Sequence, residues 1–280
     1  MRVLSVQSSV SYGHVGNAAA VFPLQRLGHE VWAVPTVVLA NHTGYPTSPG
    51  LRPTAAQVSD LLGGLEERGA LDACDAVLSG YLGTADLAAV VAGTVDRVRA
   101  GRPGATYLCD PVLGDADRGF FVAPETAETV RRELVPRADV VTPNLFELGV
   151  LTGTAPETLE DVVGAARALT RQGPGVVLVT SVLTATTPAG GVEMLAVSPE
   201  GAWLVATPLL PMPAHGAGDL TAALFLAHLG EGVPRALART ASSVHGVLRR
   251  TLDAGESELM IVAAQQWLAD PPCEFEVTAL

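Results

Sequence analysis

Short apolar runs alternate with longer amphipathic segments along most of the chain. The apolar runs have the length of β-strands and cover Arg2 to Gln7, Glu30 to Val37, Ala76 to Ser79, Thr106 to Cys109, Asp139 to Thr142 and Val176 to Thr180. The segments between them have helical spacing and cover Asn17 to Leu27, a helix opening at the capping box Thr54 to Gln57, Asp86 to Arg99, a helix after Pro124, Leu145 to Leu151 and Leu159 to Gln172. This alternation predicts an α/β fold, with a mainly parallel sheet covered by helices on both faces.

The pattern changes after the sixth of these strands. Val192 to Val197 and Ala202 to Ala206 are joined by a turn-forming Ser-Pro-Glu-Gly sequence, which predicts an antiparallel hairpin. From Gly216 onward the chain reads as helical, in three segments. The Gly- and Pro-rich loop Ala40 to Pro53 is long enough to suggest a lid over a site.

The composition indicates one globular domain over residues 1–280. Hydrophobic residues make up 48% of the 280 residues, enough for a core that buries about three quarters of the unfolded surface. Cys74, Cys109 and Cys273 are odd in number and lack CxxC spacing, which favours reduced thiols over disulfides or a zinc site. The N-terminal apolar run is too short for a signal peptide or a membrane span, so a cytoplasmic protein is expected.

The absence of lysine excludes several mechanisms. All 17 basic residues are arginine, so no P-loop lysine, Schiff-base lysine or protein-kinase strand lysine is available. The formal net charge is -12 and no arginine run exceeds a pair, so attraction to phosphate backbones is weak. We expect neither a nucleic acid nor a membrane as a partner.

A glycine turn leads directly into an apolar helix at residues 215–222. Gly216, Ala217 and Gly218 allow backbone N–H groups to converge at the helix start, where the helix dipole favours an anion such as phosphate. Asp219 follows in the first turn and could accept the proton of a hydroxyl that attacks that phosphate. We expect its pKa to be low beside the helix N-terminus. Two alternatives remain open, that Asp219 only caps the helix and that the glycines form a dinucleotide-binding turn.

Two acidic residues follow predicted strands and form a candidate Mg²⁺ site. Asp110 comes directly after one strand, and Glu147 lies shortly after the next. Carboxylates with phosphate oxygens and water are sufficient ligands for Mg²⁺. Glu147 could instead act only by stabilising the dipole of its helix, and Asp110 could instead act only as the turn residue that precedes Pro111.

The motifs together resemble pyridoxal kinases of the ribokinase-like superfamily, in family order and over essentially the whole chain. The matching runs are Leu4 to Ser8, Tyr12 to Asn17, Phe22 to Gly28, Asn41 to Tyr45, Leu78 to Gly83, Cys109 to Asp115, Thr142 to Glu147 and Gly216 to Asp219. The resemblance implies a three-layer fold with a small flap over the substrate, and a homodimer. It implies phosphorylation of the 5'-hydroxyl of pyridoxal by ATP, with Mg²⁺ and often a monovalent cation such as K⁺.

The resemblance also implies roles for individual residues. Asp219 would be the catalytic base, and Gly216, Ala217 and Gly218 would form the anion hole. Beside Asp219, the pyridoxal pocket would be lined by Ser8, Val15, Thr43, Gly44 and Tyr81. The residues expected to face ATP are Asp110, Asp115, Thr142, Glu147, Thr180, Ser181, Thr207, Pro208, Leu209 and Leu210, with Asp110 and Glu147 also facing the metal.

Two residues and one segment are among the departures from the family pattern. Ser9 stands where histidine is common, His215 stands where a small apolar residue is usual, and Pro208 to Gly216 is shorter than in many relatives. The imidazole of His215 could add a cation beside the transferring phosphoryl group, or it could point to solvent. A hydroxymethylpyrimidine kinase and a vitamin B6 binding protein with weak turnover remain alternative functions.

Overall fold

A ten-stranded sheet forms the centre of the computed structural model, which describes every residue from Met1 to Leu280. The strands in chain order are β1 (Arg2–Val10), β2 (Glu30–Leu39), β3 (Gly50–Leu51), β4 (Ala76–Ser79), β5 (Thr106–Cys109), β6 (Gly114–Asp115), β7 (Gly119–Phe120), β8 (Val140–Val141), β9 (Val176–Val182), β10 (Gly191–Ser198), β11 (Gly201–Pro208) and β12 (Val277–Ala279). Strands β6 and β7 form a separate two-stranded sheet. Across the main sheet the order is β12-β11-β10-β9-β8-β5-β4-β1-β2-β3.

The middle of the main sheet is parallel, as the strand and helix alternation predicts. Strands β2, β1, β4, β5, β8 and β9 all run in the same direction. Strands β10, β11 and β12 continue the sheet antiparallel on one side, and β3 adds an antiparallel end on the other. The predicted hairpin is therefore confirmed as β10 and β11.

Helices cover both faces of the sheet. They are α1 (Asn17–Arg26), α2 (Ala55–Glu67), α3 (Ala85–Gly101), α4 (Pro124–Thr129), α5 (Leu145–Thr152), α6 (Leu159–Thr170), α7 (Ala217–His228), α8 (Val233–Asp253) and α9 (Gln266–Ala269). Helices α2 to α6 pack on one face and α1, α7, α8 and α9 on the other. No helix combines the length and apolar character needed to cross a membrane.

Alternate residues of the buried strands supply the two cores. Val77 faces the core beneath α2 to α6, whereas its neighbours Ala76 and Leu78 face the core beneath α1, α7 and α8. Both faces of a central parallel strand are covered by helices, so its residues are apolar on both faces. The alternation of apolar and polar residues that marks a half-exposed strand is therefore absent from its sequence.

Local signals set several helix ends. The side chains of Thr54 and Gln57 form the predicted capping box at the start of α2. Gly28 adopts a φ of 84° just after α1, a backbone conformation that residues with a Cβ rarely adopt, and the chain reverses there into β2. All three cysteines are free thiols, also as predicted.

Other segments differ from the prediction. The chain after Gly216 is not entirely helical, because β12 returns to pair with β11 at the sheet edge. The helix after Pro124 is short and continues through a π-helical segment, Val130–Leu134, and a 3-10 turn, Val135–Arg137. The loop after β2 contains β3, which pairs back onto the end of β2. Each of these three differences depends on contacts with distant residues or on backbone detail that local periodicity does not encode.

Candidate active site

The carboxyl edge of the sheet collects most of the predicted site residues. Strands β1, β2, β4, β5, β8 and β9 are parallel, so the segments that follow them reach the same edge. Strand β11 runs in the same direction as β9, with β10 antiparallel between them. Ligands of open α/β sheets bind at this edge, where the loops leave the strands.

The glycine turn lies against the N-terminal loop. Gly216 has a φ of 84°, and its α-carbon packs directly on the backbone carbonyl of His14, which leaves no room for a side chain. The N–H of Ala217 donates to the carbonyl of Ala214 at 3.0 Å. The N–H groups of Gly216 and Gly218 have no partner within the chain and remain available to an anion.

Asp219 does not cap its helix. The N-cap residue of α7 is Gly216, and no side chain makes a capping hydrogen bond there. Burial raises the pKa of Asp219 to about 6, although the N–H groups of Gly16 and of Asp219 itself act in the opposite direction. The expectation of a low pKa is therefore wrong, because loss of hydration outweighs the favourable helix terminus.

Asp110 is a buried carboxyl group with one free oxygen. Its Oδ1 accepts a hydrogen bond from Thr142 Oγ1 at 3.1 Å, whereas Oδ2 accepts none within the chain. Burial raises the pKa of Asp110 well above its ordinary range, and the nearby charges of Glu147 and Asp219 raise it further. The three carboxyl groups are near enough for their charges to interact, and the Thr142 hydroxyl contacts one of them; all four residues were named from the sequence.

Glu147 holds the loop that follows β5. Its Oε1 accepts from the N–H groups of Leu113 at 2.7 Å and Gly114 at 3.3 Å, and its Oε2 accepts from Asn144 N at 2.9 Å. Asn144 in turn accepts from Glu147 N, so the two residues form a capping box at the start of α5. Burial nevertheless raises the pKa of Glu147 to about 7, against these three N–H donors. The alternative helix-terminal role of Glu147 is thus present in the fold.

Asp115 is paired with an arginine of its own hairpin. Its Oδ2 accepts from Arg118 Nε at 2.9 Å and Arg118 Nη2 at 2.6 Å, and its Oδ1 accepts from Arg118 N. Burial alone would raise the pKa of Asp115, but these contacts lower it on balance. The ion pair occupies the carboxylate of Asp115, which the resemblance expects to face ATP.

Three of the expected substrate contacts lie near the start of α1, and a fourth lies on a second loop. Ser8 is buried beneath Gly16, whose α-carbon leaves no space for a side chain. Val15 and Tyr81 pack on one small apolar cluster formed by Val10, Val37 and Leu39. Gly44 lies on the opposite loop, beside the rings of both His42 and His215.

The loop segment 41–48, here called the flap, carries Thr43 and Gly44. Thr43 is exposed, and its side chain makes no hydrogen bond within the chain. A Cβ on Gly44 would lie 2.8 Å from His215 Nε2, and the rings of His42 and His215 are 4.3 Å apart. Of the two expectations for His215, exposure to solvent is wrong, because the half-buried ring packs on the flap.

The expected nucleotide contacts lie on β9 and β11. Thr180 and Ser181 belong to β9, and Ser181 adopts the left-handed region with a φ of 53°. Thr207 and Pro208 end β11, where Leu209 N donates to the carbonyl of Gly190 at 2.8 Å; Leu210 follows. These residues reach the same edge of the sheet, two strands apart.

Glu258 was not expected at the site from any sequence motif. This residue follows α8 and contacts His14, His42 and Tyr45 through its carboxylate. Glu258 stands in a polar turn that forms no recognisable motif, so only its tertiary contacts reveal it.

Comparison with known proteins identifies the family. A family model described as phosphomethylpyrimidine kinase matches residues 70–261. The pyridoxal kinase PdxY of Rubrobacter xylanophilus is 54% identical over 99% of this chain and 97% of that protein. That of Leifsonia xyli subsp. xyli is 50% identical over 99% of each chain. The chain belongs to the pyridoxal kinase family.

Solved structures share the entire architecture of this pyridoxal kinase family member. Pyridoxal kinase from Leishmania donovani, in complex with ADP and pyridoxamine, matches with a TM-score of 0.93 at 30% identity, over 100% of this chain and 99% of that chain. A putative phosphomethylpyrimidine kinase from Bacteroides thetaiotaomicron matches with a TM-score of 0.91 at 26% identity, over 100% and 97%. The predicted ribokinase-like fold is confirmed.

Proposed function

We propose that this protein transfers the γ-phosphoryl group of ATP to the 5'-hydroxyl of pyridoxal, forming pyridoxal 5'-phosphate and ADP. The observation that carries the proposal is the placement of Asp219 beside the free N–H groups of Gly216 and Gly218, close enough to Asp110 for their charges to interact. Membership of the pyridoxal kinase family supplies the substrate class.

Asp219 is suited to the role of catalytic base. In the proposed reaction the substrate oxygen bonds to the γ-phosphorus as the bond to the ADP oxygen breaks, and the hydroxyl proton passes to the Asp219 carboxylate. A pKa of about 6 leaves Asp219 ionised at neutral pH and closer in basicity to the operating pH than an exposed aspartate. The N–H groups of Gly216 and Gly218 stabilise the negative charge on the transferring group.

Val15 and Tyr81 offer an apolar wall that suits a pyridine ring. They share one apolar cluster, and Thr36 Oγ1 donates to the carbonyl of Tyr81 at 2.6 Å, which fixes the backbone of this residue. Ser8 supplies a hydroxyl for the polar groups of the ring, and Thr43 and Gly44 cover it from the flap. We include all five as substrate-binding residues.

The carboxyl groups of Asp110 and Glu147 fit a magnesium ion that arrives with the nucleotide. Burial raises the pKa of both groups, so a nearby cation would favour their ionised forms. Asp110 Oδ2 is free to bind it directly or through water, whereas Glu147 acts mainly by its charge because backbone N–H groups occupy both oxygens. When bound, Mg²⁺ would neutralise charge on the phosphate oxygens. K⁺ or another monovalent cation is a further proposed cofactor.

The nucleotide is proposed to lie along β9 and β11. Thr142, Thr180, Ser181 and Thr207 provide hydroxyl groups for its phosphates, with Thr142 held by Asp110. Pro208, Leu209 and Leu210 provide an apolar border for the base, and Leu209 is 52% exposed. Asp115 would have to act while paired with Arg118.

A hydroxymethylpyrimidine kinase is the second candidate. The family model over residues 70–261 and the Bacteroides thetaiotaomicron structure both favour it. Full-length identities of 54% and 50% to pyridoxal kinases favour pyridoxal more strongly.

Coupled ADP release with pyridoxal, pyridoxine and a hydroxymethylpyrimidine as alternative substrates tests the proposal. We expect kcat/KM to be highest for a B6 vitamer. Higher kcat/KM for the pyrimidine would reject the pyridoxal assignment, and binding of pyridoxal without turnover would indicate a vitamin-binding protein. The proposed cytoplasmic homodimer can be checked separately by sedimentation, which should give twice the mass of one chain.

A further inference from the structure

One carboxylate connects three parts of the chain beside the proposed substrate pocket. Glu258 Oε1 lies 2.9 Å from His42 Nε2 and accepts a hydrogen bond from the Tyr45 hydroxyl at 2.8 Å. Glu258 Oε2 accepts from the backbone N–H of His14 at 3.3 Å. The flap and the loop between β1 and α1 are therefore both bound to a single side chain that belongs to neither.

Backbone geometry fixes how His42 takes part. The N–H of Gly44 donates to His42 Nδ1 at 3.1 Å, so Nδ1 is the accepting nitrogen and Nε2 carries the proton donated to Glu258. The exposed fractions of the His42 and Glu258 side chains are only 9% and 12%. Hydrogen bonds to a charged group in such a partly dehydrated position are stronger than those at the surface.

The contacts of Glu258 lie next to the residues proposed to touch the substrate. Val15 directly follows His14, and Thr43 and Gly44 lie between His42 and Tyr45. Gly13 also packs directly on the Glu258 carboxylate, with no room for a side chain. A shift of Glu258 would therefore move both loops that border the pyridoxal pocket.

We propose that Glu258 is a positioning residue for the vitamin B6 substrate, holding the flap and the β1–α1 loop in the spacing that the pyridine ring requires. The inference rests on the proposed function, because it takes these loops as the substrate border. None of the residues proposed for the nucleotide is a hydrogen-bond partner of Glu258, whose partners are His14, His42 and Tyr45. The role therefore predicts a larger effect on pyridoxal than on ATP.

Steady-state kinetics of Glu258→Ala, Glu258→Gln and Glu256→Ala separate this role from general stabilisation. Glu256 lies two residues earlier, and its exposed side chain makes no hydrogen bond, which makes it the matched control. For Glu258→Ala we expect KM for pyridoxal to rise by about tenfold or more while KM for ATP stays within about twofold. Glu258→Gln should recover part of the loss, because its amide oxygen can still accept from Tyr45 and His42.

Hydrogen–deuterium exchange provides the second readout. Peptides covering residues 40–49 should exchange faster in Glu258→Ala than in the wild type or Glu256→Ala, with little change in the sheet. Unchanged exchange in these peptides, or equal rises of both KM values together with a lower melting temperature, would overturn the role. If the wild type releases no ADP with pyridoxal, the proposed function fails instead. The dissociation constant for pyridoxal from calorimetry then replaces KM, and an equal constant in Glu258→Ala would reject the positioning role.

Discussion

The α-carbon of Gly216 rests directly on the backbone carbonyl of His14, so the turn that precedes α7 touches the loop that follows β1 without an intervening side chain. This contact joins the glycine turn, with its free N–H groups, to the loop that carries Val15 and Gly16. It places Asp219 beside the N–H of Gly16, which lowers the pKa of Asp219 against the larger effect of burial. The base and the substrate border are thereby assembled by backbone packing.

Replacing Gly216 by alanine should destabilise the protein. Its φ of 84° is unfavourable for a residue with a Cβ, and the added methyl group would meet the His14 carbonyl, so we expect a loss of about 1 to 3 kcal/mol in unfolding free energy. Urea unfolding followed by circular dichroism measures the loss. Gly218→Ala is the control, because a Cβ there meets no atom within 4 Å and the residue is helical. Equal midpoints for the two variants would show that the contact is not needed.

The proposed role of Asp219 as catalytic base predicts the effect of Asp219→Asn on kcat. The amide keeps the size of the carboxyl group but cannot accept the hydroxyl proton, so we expect kcat to fall by about 10² to 10⁴. The dissociation constant for ATP, measured by calorimetry, should change little because no proton is transferred during binding. A kcat equal to that of the wild type would remove Asp219 from the chemistry.

The raised pKa of Asp219 predicts the acid limb of the pH profile. The ionised form is the active base, so kcat should be constant above neutral pH and fall as the pH drops through about 6. A base with the ordinary aspartate pKa would keep its activity to much lower pH. The profile is best recorded for both wild type and His215→Val, so that titration of His215 does not contribute. A plateau that extends below pH 5 would contradict the effect of burial.

Local sequence signals were sufficient for most of the fold. Thr54 and Gln57 identify the start of α2, and the apolar run of β4 identifies a buried strand, because capping and burial depend on neighbouring residues. Strand β12 was missed because Val277 to Ala279 becomes a strand only when β11 provides an open edge. Tertiary contacts set such elements, and short-range patterns do not report them.

Residues of the candidate site were likewise predictable where the signal is local in sequence, and they were missed where it depends on distant contacts. The glycine turn and the acidic residues after β5 and β8 were found because their chemistry is visible in a few consecutive residues. The pKa of Asp219 was predicted wrongly because burial cannot be read from the helix terminus alone. Glu258 was missed because its partners His14 and His42 are more than 200 positions away, at separations of 244 and 216 residues.

Substitution of Asp110 or of Glu147 should raise the Mg²⁺ concentration that activity requires, but by unequal amounts. Asp110→Asn removes a charge from an oxygen with no other partner, so the Mg²⁺ concentration needed for half-maximal activity should rise by about tenfold or more. Glu147→Gln should raise it less, and it should also lower the melting temperature, because Oε1 and Oε2 both hold backbone N–H groups. Magnesium titrations of ADP release measure the first effect. Identical titrations for both variants and the wild type would show that the carboxyl groups serve the fold alone.

The last prediction concerns His215, which contacts the flap. Burial lowers the pKa of His215, electrostatic interactions with His42 and Arg118 lower it further, and Glu258 and Asp115 act against them. The lowered pKa favours the neutral ring at neutral pH, which leaves little imidazolium for the phosphoryl group. We expect kcat/KM for ATP in wild type and His215→Val to follow curves of the same shape between about pH 6 and 8. A steeper fall with rising pH in the wild type would show instead that an imidazolium at position 215 assists transfer.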